Sequence, residues 1–238
     1  MAIDEAVMHS VREGDVQPTL RFYRWKPSAV SIGTFQGMRD EVDLEYCNNH
    51  GIDYIRRVTG GGAVYHDYQG EITYSLIVPI EHRLAPDDIL ESYQMICQGL
   101  INGLAHLGIE SEFKPINDIT SHGKKISGNA QTRQKRCLLQ HGTILRKLDV
   151  RKMFSVLKVP EEKISDKMIA DVKDRVISIE EILGGEINFG RLEEALRNGF
   201  KSALDIEFDD LRLTQREMNM AEELVESKYS TNEWNLSR

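Results

Sequence analysis

The spacing of hydrophobic residues changes along the chain, and each change marks a different kind of element. Residues 2–13 read as a helix ending before Gly14. Residues 19–25 and 29–33 are rich in aromatic and β-branched side chains and predict two strands. A short helix is expected over 42–50, with Gly51 placed to stop it. A strand over 52–58 is broken by Gly60, Gly61 and Gly62, and strands over 63–66 and 72–78 flank a turn at Tyr68, Gln69 and Gly70. The clearest helix begins near Pro86, Asp87 and Asp88. There Ile89, Tyr93, Ile96, Leu100 and Leu104 recur at helical spacing and form one apolar face. Gly108 follows where such a helix would end in a left-handed turn. Strand-like pieces come next at 117–121, 124–129 and 137–146.

After residue 149 the pattern turns helical. Ser178 with Glu181, and Thr214 with Glu217, both have the form of a capping box. Leu192, Ala195, Leu196, Phe200 and Leu204 mark one amphipathic helix, and another covers about 215–228. Strands dominate the first half, with one long helix inserted, and helices dominate the last third. This order predicts an α+β fold, a mixed β-sheet with surrounding helices, rather than strict βαβ alternation. No Gly/Ser/Pro linker divides the chain, so residues 1–238 are expected to form a single domain.

Composition narrows the classes. No stretch approaches the roughly 20 apolar residues of a membrane helix. The opening Met1-Ala2-Ile3-Asp4-Glu5 carries acids and no basic region, unlike a signal peptide. Cys47, Cys97 and Cys137 are odd in number and far apart, which excludes a disulfide framework and a CxxC metal site and makes a reducing cytoplasm the expected location. A net charge of −8 argues against general nucleic-acid binding. Against that trend, Lys124, Lys125, Arg133, Lys135 and Arg136 fall in a stretch without acids, which reads as a solvated basic face or as part of a site.

Four segments carry candidate chemistry. In RRVTGGGAVYHD (56–67), consecutive glycines between two strands are costly in backbone entropy. They suit backbone that approaches a ligand or cradles an anion, or else form a plain turn. Arg56 and Arg57 just upstream suit a phosphate or carboxylate. In KKISGNAQTR (124–133), a lysine beside a strand can place one ammonium between two anionic groups, or simply end a surface strand. No GxxxxGK[ST] occurs, so a nucleotide would not be held as in P-loop enzymes. His141 in QHGTIL (140–145) is a pocket candidate or a satisfied structural histidine. Asn117-Asp118 could face Mg²⁺ or form an ordinary turn.

Together these runs resemble the lipoate-protein ligase A family, within the biotin/lipoate ligase superfamily. MAIDEA, RFYRWKPSAVSIGTFQ, LKVPEEKISDK and KYSTNEWN add to the resemblance, which spans nearly the whole chain. It implies a biotin/lipoate ligase-like catalytic domain that activates lipoate with ATP and Mg²⁺ to lipoyl-AMP. The lipoyl group would then pass to a lysine of a lipoyl domain or of the glycine-cleavage carrier protein. Lys125 would sit between the lipoyl carboxyl and the α-phosphate, offsetting the charge that builds there. Arg57 and the backbone of Gly60, Gly61, Gly62 and Ala63 would bind the nucleotide or acyl-phosphate, with Val64 and Tyr65 bordering the pocket. Asn117 and Asp118 would be polar and metal-facing, Asp118 being the Mg²⁺ candidate. His66, Ser127, Gly128, Arg133, His141 and Thr143 complete the implied lipoate and ATP pocket. The basic stretch 124–136 would have a second use in steering an acidic acceptor.

The rival reading is an octanoyl or lipoyl transferase of the same superfamily, moving the acyl group from a carrier protein through a cysteine thioester without ATP. No cysteine lies in 114–119, where some such transferases carry theirs, and Cys137 reads as a buried structural residue. A non-catalytic lipoate-binding paralogue is the third reading. The resemblance also implies a strand ahead of the MAIDEA helix, so Met1 is expected to stand at an altered start. The smaller accessory C-terminal domain of many ligases is expected to be absent, its role left to a separate accessory subunit or dispensed with.

Overall fold

The computed structural model describes residues 1–158 and 166–238, and of the LKVPEEKISDK run residues 159–165 lie outside the described residues. The larger sheet is built from β1 (Thr19–Tyr23), β5 (Glu71–Pro79), β6 (Glu112–Lys114), β7 (Asp118–Ser121), β8 (Lys124–Gln134) and β9 (Cys137–Leu145). Its strand order is β1-β5-β9-β8-β7-β6, with every neighbour antiparallel. The smaller sheet holds β2 (Ala29–Ile32) between β3 (Asp53–Arg56), parallel to it, and β4 (Val64–His66), antiparallel. Mixed sheets with helices around them make the fold α+β, as the element order predicts.

β5 organises the molecule because it is buried along nearly its whole length. Successive strand side chains point to opposite faces. Ile72, Tyr74, Leu76 and Val78 therefore share one face, which packs against α4 (Ile89–Ala105) and α8 (Phe189–Leu204) through Ile96, Leu100, Leu196 and Phe200. Each such side chain, fully buried, contributes about 1.5–3 kcal/mol. The other face carries Glu71, Thr73 and Ser75, then Ile77, which packs under Val7 and Met8 of α1 (Ala2–Glu13). Glu71 and Thr73 form part of one wall of the site described below.

The helices start where local chemistry satisfies their free amides. Asp88 accepts from the amides of Leu90 and Glu91, and Asn188 from that of Arg191. Thr214 and Glu217 form the complete capping box of α9 (Gln215–Leu224). At Ser178 only half of the expected box exists. The hydroxyl accepts from the Glu181 amide of α7 (Ile179–Leu183), while the neighbouring Glu180 pairs with Arg146. Two further expectations are corrected. Ile89 opens α4 but is 54% exposed, since it sits in the first turn beyond the core. β8 runs on to Gln134, because its second half pairs with β9 through to Gln134 and Cys137. No helix among the described residues is long and apolar enough to cross a membrane.

Candidate active site

After β3 the chain turns through Arg57 and the three glycines and returns as β4. This loop packs against the end of β2 so tightly that a Cβ on Gly33 would lie 2.1 Å from the Gly61 carbonyl oxygen. Only glycine fits that approach. Arg57 braces the loop from inside. Its Nη1 donates to the Ser31 carbonyl and hydroxyl at 2.9 and 2.7 Å, and its Nη2 to the Gly60 and Gly62 carbonyls at 3.1 and 2.9 Å. Burial lowers the guanidinium pKa to about 10, so it stays charged at neutral pH. Arg56, its neighbour, serves a different end. It is 1% exposed and donates to the carbonyls of Thr34, Gln36, Trp234 and Asn235, tying the C-terminal turn to β3.

Between the glycine loop, the polar face of β5 and β8 lies a cavity of about 320 Å³. Lys125, Asn117, Ser127 and Gly128 line it from the β7–β8 side, and His141 and Thr143 from β9. Arg57, Gly61, Gly62, Ala63, Val64, Tyr65 and His66 line it from the loop and β4. Of the candidate residues, Gly60 stands just behind the wall as an acceptor for Arg57. Arg133 lies elsewhere, far along β8, where its Nε donates to Gln131.

Lys125 Nζ lies 2.7 Å from Asp118 Oδ1, and both side chains are partly open to solvent. The ammonium folds back over its own strand. A Cβ on Gly128 would come within 2.8 Å of Lys125 Cε and 2.9 Å of Nζ. Asp118, expected to face a metal, is thus engaged by a lysine. Among the described residues no group of three His, Cys, Asp or Glu side chains is gathered as a metal site. Asn117 fixes the turn before β7, its amide donating to the Asn129 carbonyl and its own carbonyl accepting from Asn129 Nδ2 at 2.9 Å. His141 shares a hydrogen bond with Thr59 Oγ1 at 2.8 Å, and burial lowers its pKa to about 3, so the ring is neutral.

The basic stretch does not form an open patch. Lys125 pairs with Asp118, Lys135 with Glu5, and Arg136 with Glu81, while Lys124 donates to the Lys173 carbonyl. Most of its cations thus have partners within the chain.

Some of the wall escaped the motifs. Leu148, Met153, Leu157 and Val176 give the cavity an apolar side, from α5 (Val150–Val156) and the segments beside it. Ser31, Trp25, Glu71 and Thr73 surround His66. The available signal was the alternation of polar residues at 71, 73 and 75 in an otherwise apolar strand. In a buried strand this pattern marks a polar cavity face. The cysteines behave as read. Cys47, Cys97 and Cys137 are buried, none lines the cavity, and burial raises their thiols, Cys47 to about 11 and Cys97 to about 12.

The sequence model of the lipoyl protein ligase A/B catalytic domain matches residues 1–201, and the chain belongs to that family. Among curated relatives, octanoyltransferase LipM of Brevibacillus brevis is 39% identical over 100% of this chain and 94% of its own length. The octanoyltransferases LipM of Staphylococcus aureus and Bacillus subtilis are 36% and 33% identical, over 98% and 100% of this chain and 92% and 93% of theirs. Among solved structures, the bi-partite lipoate protein ligase of Thermoplasma acidophilum, described with its E2 lipoyl domain, superposes with a TM-score of 0.86. It is 35% identical, over 99% of this chain and 89% of that one. A lipoate-protein ligase A bound with ATP gives 0.83 at 33% identity, over 99% and 92% of the two chains.

These relatives correct the functional expectation. The expectation of an ATP- and Mg²⁺-dependent ligase acting on free lipoate is overturned, because these curated relatives, matched along the full chain, are octanoyltransferases. The chemical consequence is direct. A transferase starts from an acyl group that is already activated, so ATP, Mg²⁺ and free lipoate lose their assigned places. The fold is shared with the ligases, whereas the curated relatives carry the other activity.

Proposed function

We propose that this chain transfers an octanoyl group from a carrier-bound thioester to a lysine of a lipoyl domain or of the related glycine-cleavage carrier, without ATP. The observation that carries the reading is the identity of up to 39% to octanoyltransferases along the entire chain. The site supports it. A cavity of about 320 Å³ falls at the small end of ligand sites, roughly 300–1,000 Å³. Its apolar side suits an unbranched alkyl chain, and Lys125 supplies a cation where an acyl carbonyl would gain charge.

The expected cysteine thioester has no candidate here, since all three thiols are buried outside the cavity. The transfer is therefore one displacement. The acceptor amine attacks the acyl carbonyl, the C–S bond breaks, and the leaving thiolate takes up the proton that the amine gives up. The products are an amide and a free thiol. Lys125 offsets charge on the carbonyl oxygen during that attack, the electrostatic role that is usually largest in acyl transfer. Asp118 holds the ammonium in place. Residues 1–238 act in this reading as one catalytic domain.

The test is to incubate the purified chain with an octanoyl-carrier thioester and a lipoyl domain, with ATP omitted, and to follow the domain by mass spectrometry. Octanoylation of the domain supports the reading. Modification that requires free acid and ATP, or none with or without an accessory subunit, refutes it.

A further inference from the structure

The buried groups behind the glycine loop form one directed hydrogen-bond chain. Arg57 Nη1 lies 2.7 Å from Ser31 Oγ, Ser31 Oγ lies 2.6 Å from His66 Nε2, and His66 Nδ1 lies 2.6 Å from Glu71 Oε1. The direction follows from what each group can do. A guanidinium only donates, and a carboxylate only accepts. With a neutral His66 ring, Ser31 accepts from Arg57 and gives its own proton to His66 Nε2, which leaves the ring proton on Nδ1, donated to Glu71. Every proton in the chain points from the cation towards the anion. Such aligned bonds polarise one another in a dry interior.

The chain is supported from the side. The Trp25 ring stacks on His66 with centroids 4.2 Å apart, and its Nε1 donates to Thr73, whose hydroxyl donates to Glu71. Ser31, His66 and Glu71 are all buried. Their apparent object is Arg57. Its four Nη bonds are spent on Ser31, Gly60 and Gly62. Its Nε–H has no acceptor among the described residues, and the residue lines the cavity.

We propose that Ser31, His66 and Glu71 are positioning residues that hold Arg57 with its charge and free Nε–H directed at the acyl carbonyl oxygen, making it a second oxyanion-stabilising cation beside Lys125. The proposal rests on the transferase reading. A guanidinium fixed before the reaction stabilises developing charge without reorganising, whereas a loosened one does not. Ser31 is placed like the nucleophile of a serine, histidine and acid triad. Its side chain is closed off by Arg57 and His66, however, and the chain ends on a cation that a nucleophile would not need.

The experiment is a double-mutant cycle on octanoyl transfer, with Ser31→Ala, Arg57→Lys and the pair, each checked for fold by circular dichroism. Ser31→Ala should lower kcat by about 10–100-fold, the scale of a small misplacement of a catalytic group, and leave the KM for the acceptor unchanged. In the Arg57→Lys background the same change should add nothing, because its effect runs through Arg57. Glu71→Gln, which can still accept from Nδ1–H, should retain more activity than Glu71→Ala. Nitrogen NMR should show His66 protonated on Nδ1, a readout independent of turnover. Additive effects, a folded Ser31→Ala with wild-type kcat, an Nε2-protonated His66, or an octanoyl ester trapped on Ser31 would each overturn the proposal. A wild-type chain that transfers nothing fails the transferase reading itself. An active wild type with an indifferent Ser31→Ala fails this proposal alone.

Discussion

The two faces of β5 share one backbone and differ in everything else. One presents Ile72, Tyr74, Leu76 and Val78 to α4 and α8, and its neighbours are almost entirely apolar. The other presents Glu71 and Thr73, each 3% exposed or less, to a cavity lined by histidines and an arginine, and Ser75 to Asp4 of α1, to which its hydroxyl donates at 2.8 Å. The first face stores stability, because burying apolar surface is the main favourable term in folding. The second holds polar groups that must be satisfied by one another, since an unpaired buried polar group costs about 1–3 kcal/mol. Substitutions on the two faces should therefore fail differently, one losing the fold and the other losing the reaction.

The largest expected effect is on activity. Lys125→Ala should lower octanoyl transfer by about 10²–10³-fold, the loss typical of removing one oxyanion-stabilising group. Its unfolding midpoint should stay near wild type, as its partner Asp118 is partly open to water. Gly128→Ala is a subtler break of the same face. The added methyl would press on Lys125 Cε and displace the ammonium, so transfer should fall by up to about 10²-fold with the fold intact. On the opposite face, Phe200→Ala should remove about 3–5 kcal/mol in urea unfolding, leaving kcat per folded molecule unchanged. Phe200 is fully buried against Tyr74, with ring centroids 5.5 Å apart.

How much of this was legible in the sequence follows the same division. The apolar face was read from periodicity, because Tyr93, Ile96, Leu100 and Leu104 repeat as a helix must. The loop and Lys125 were read from motifs. Arg56 was misread as an anion ligand, because an arginine that ties carbonyls together looks the same in sequence as one that binds phosphate. Ser31 and Glu71 were missed because their meaning lies in a contact between β2, β4 and β5 that no local spacing encodes. The choice between ligase and transferase was lost for a related reason. Both activities need an acyl pocket and a cation at its carbonyl, so the shared motifs do not separate them.

Acid sharpens the contrast between the faces. His141 titrates at about 3 in the folded protein against an ordinary 6.5, so folding favours its neutral form. That contribution is complete above about 6.5 and is lost progressively as pH falls towards 3. Glu5 acts in the same direction at lower pH. Burial alone would raise its pKa, but donors from Lys135, Lys228 and Tyr229 hold it at about 2, so its contribution is present above about 4.5 and fades below. Urea midpoints should therefore decline from about pH 6.5 downward, and His141→Gln should flatten the upper part of that decline. The smallest effect belongs to neither face. Thr214→Ala removes the capping box of α9 and should cost about 1 kcal/mol in the same unfolding assay.

Acyl transfer without nucleotide activation can be observed directly. Purified wild-type chain is mixed with an octanoyl-carrier thioester and a lipoyl domain in nucleotide-free buffer, and the domain is weighed by mass spectrometry over time. An octanoyl amide on one lysine is expected, with stoichiometric release of the carrier thiol. A domain that stays unmodified until free octanoate or lipoate is supplied with ATP would show instead that the acyl group must first be activated by nucleotide.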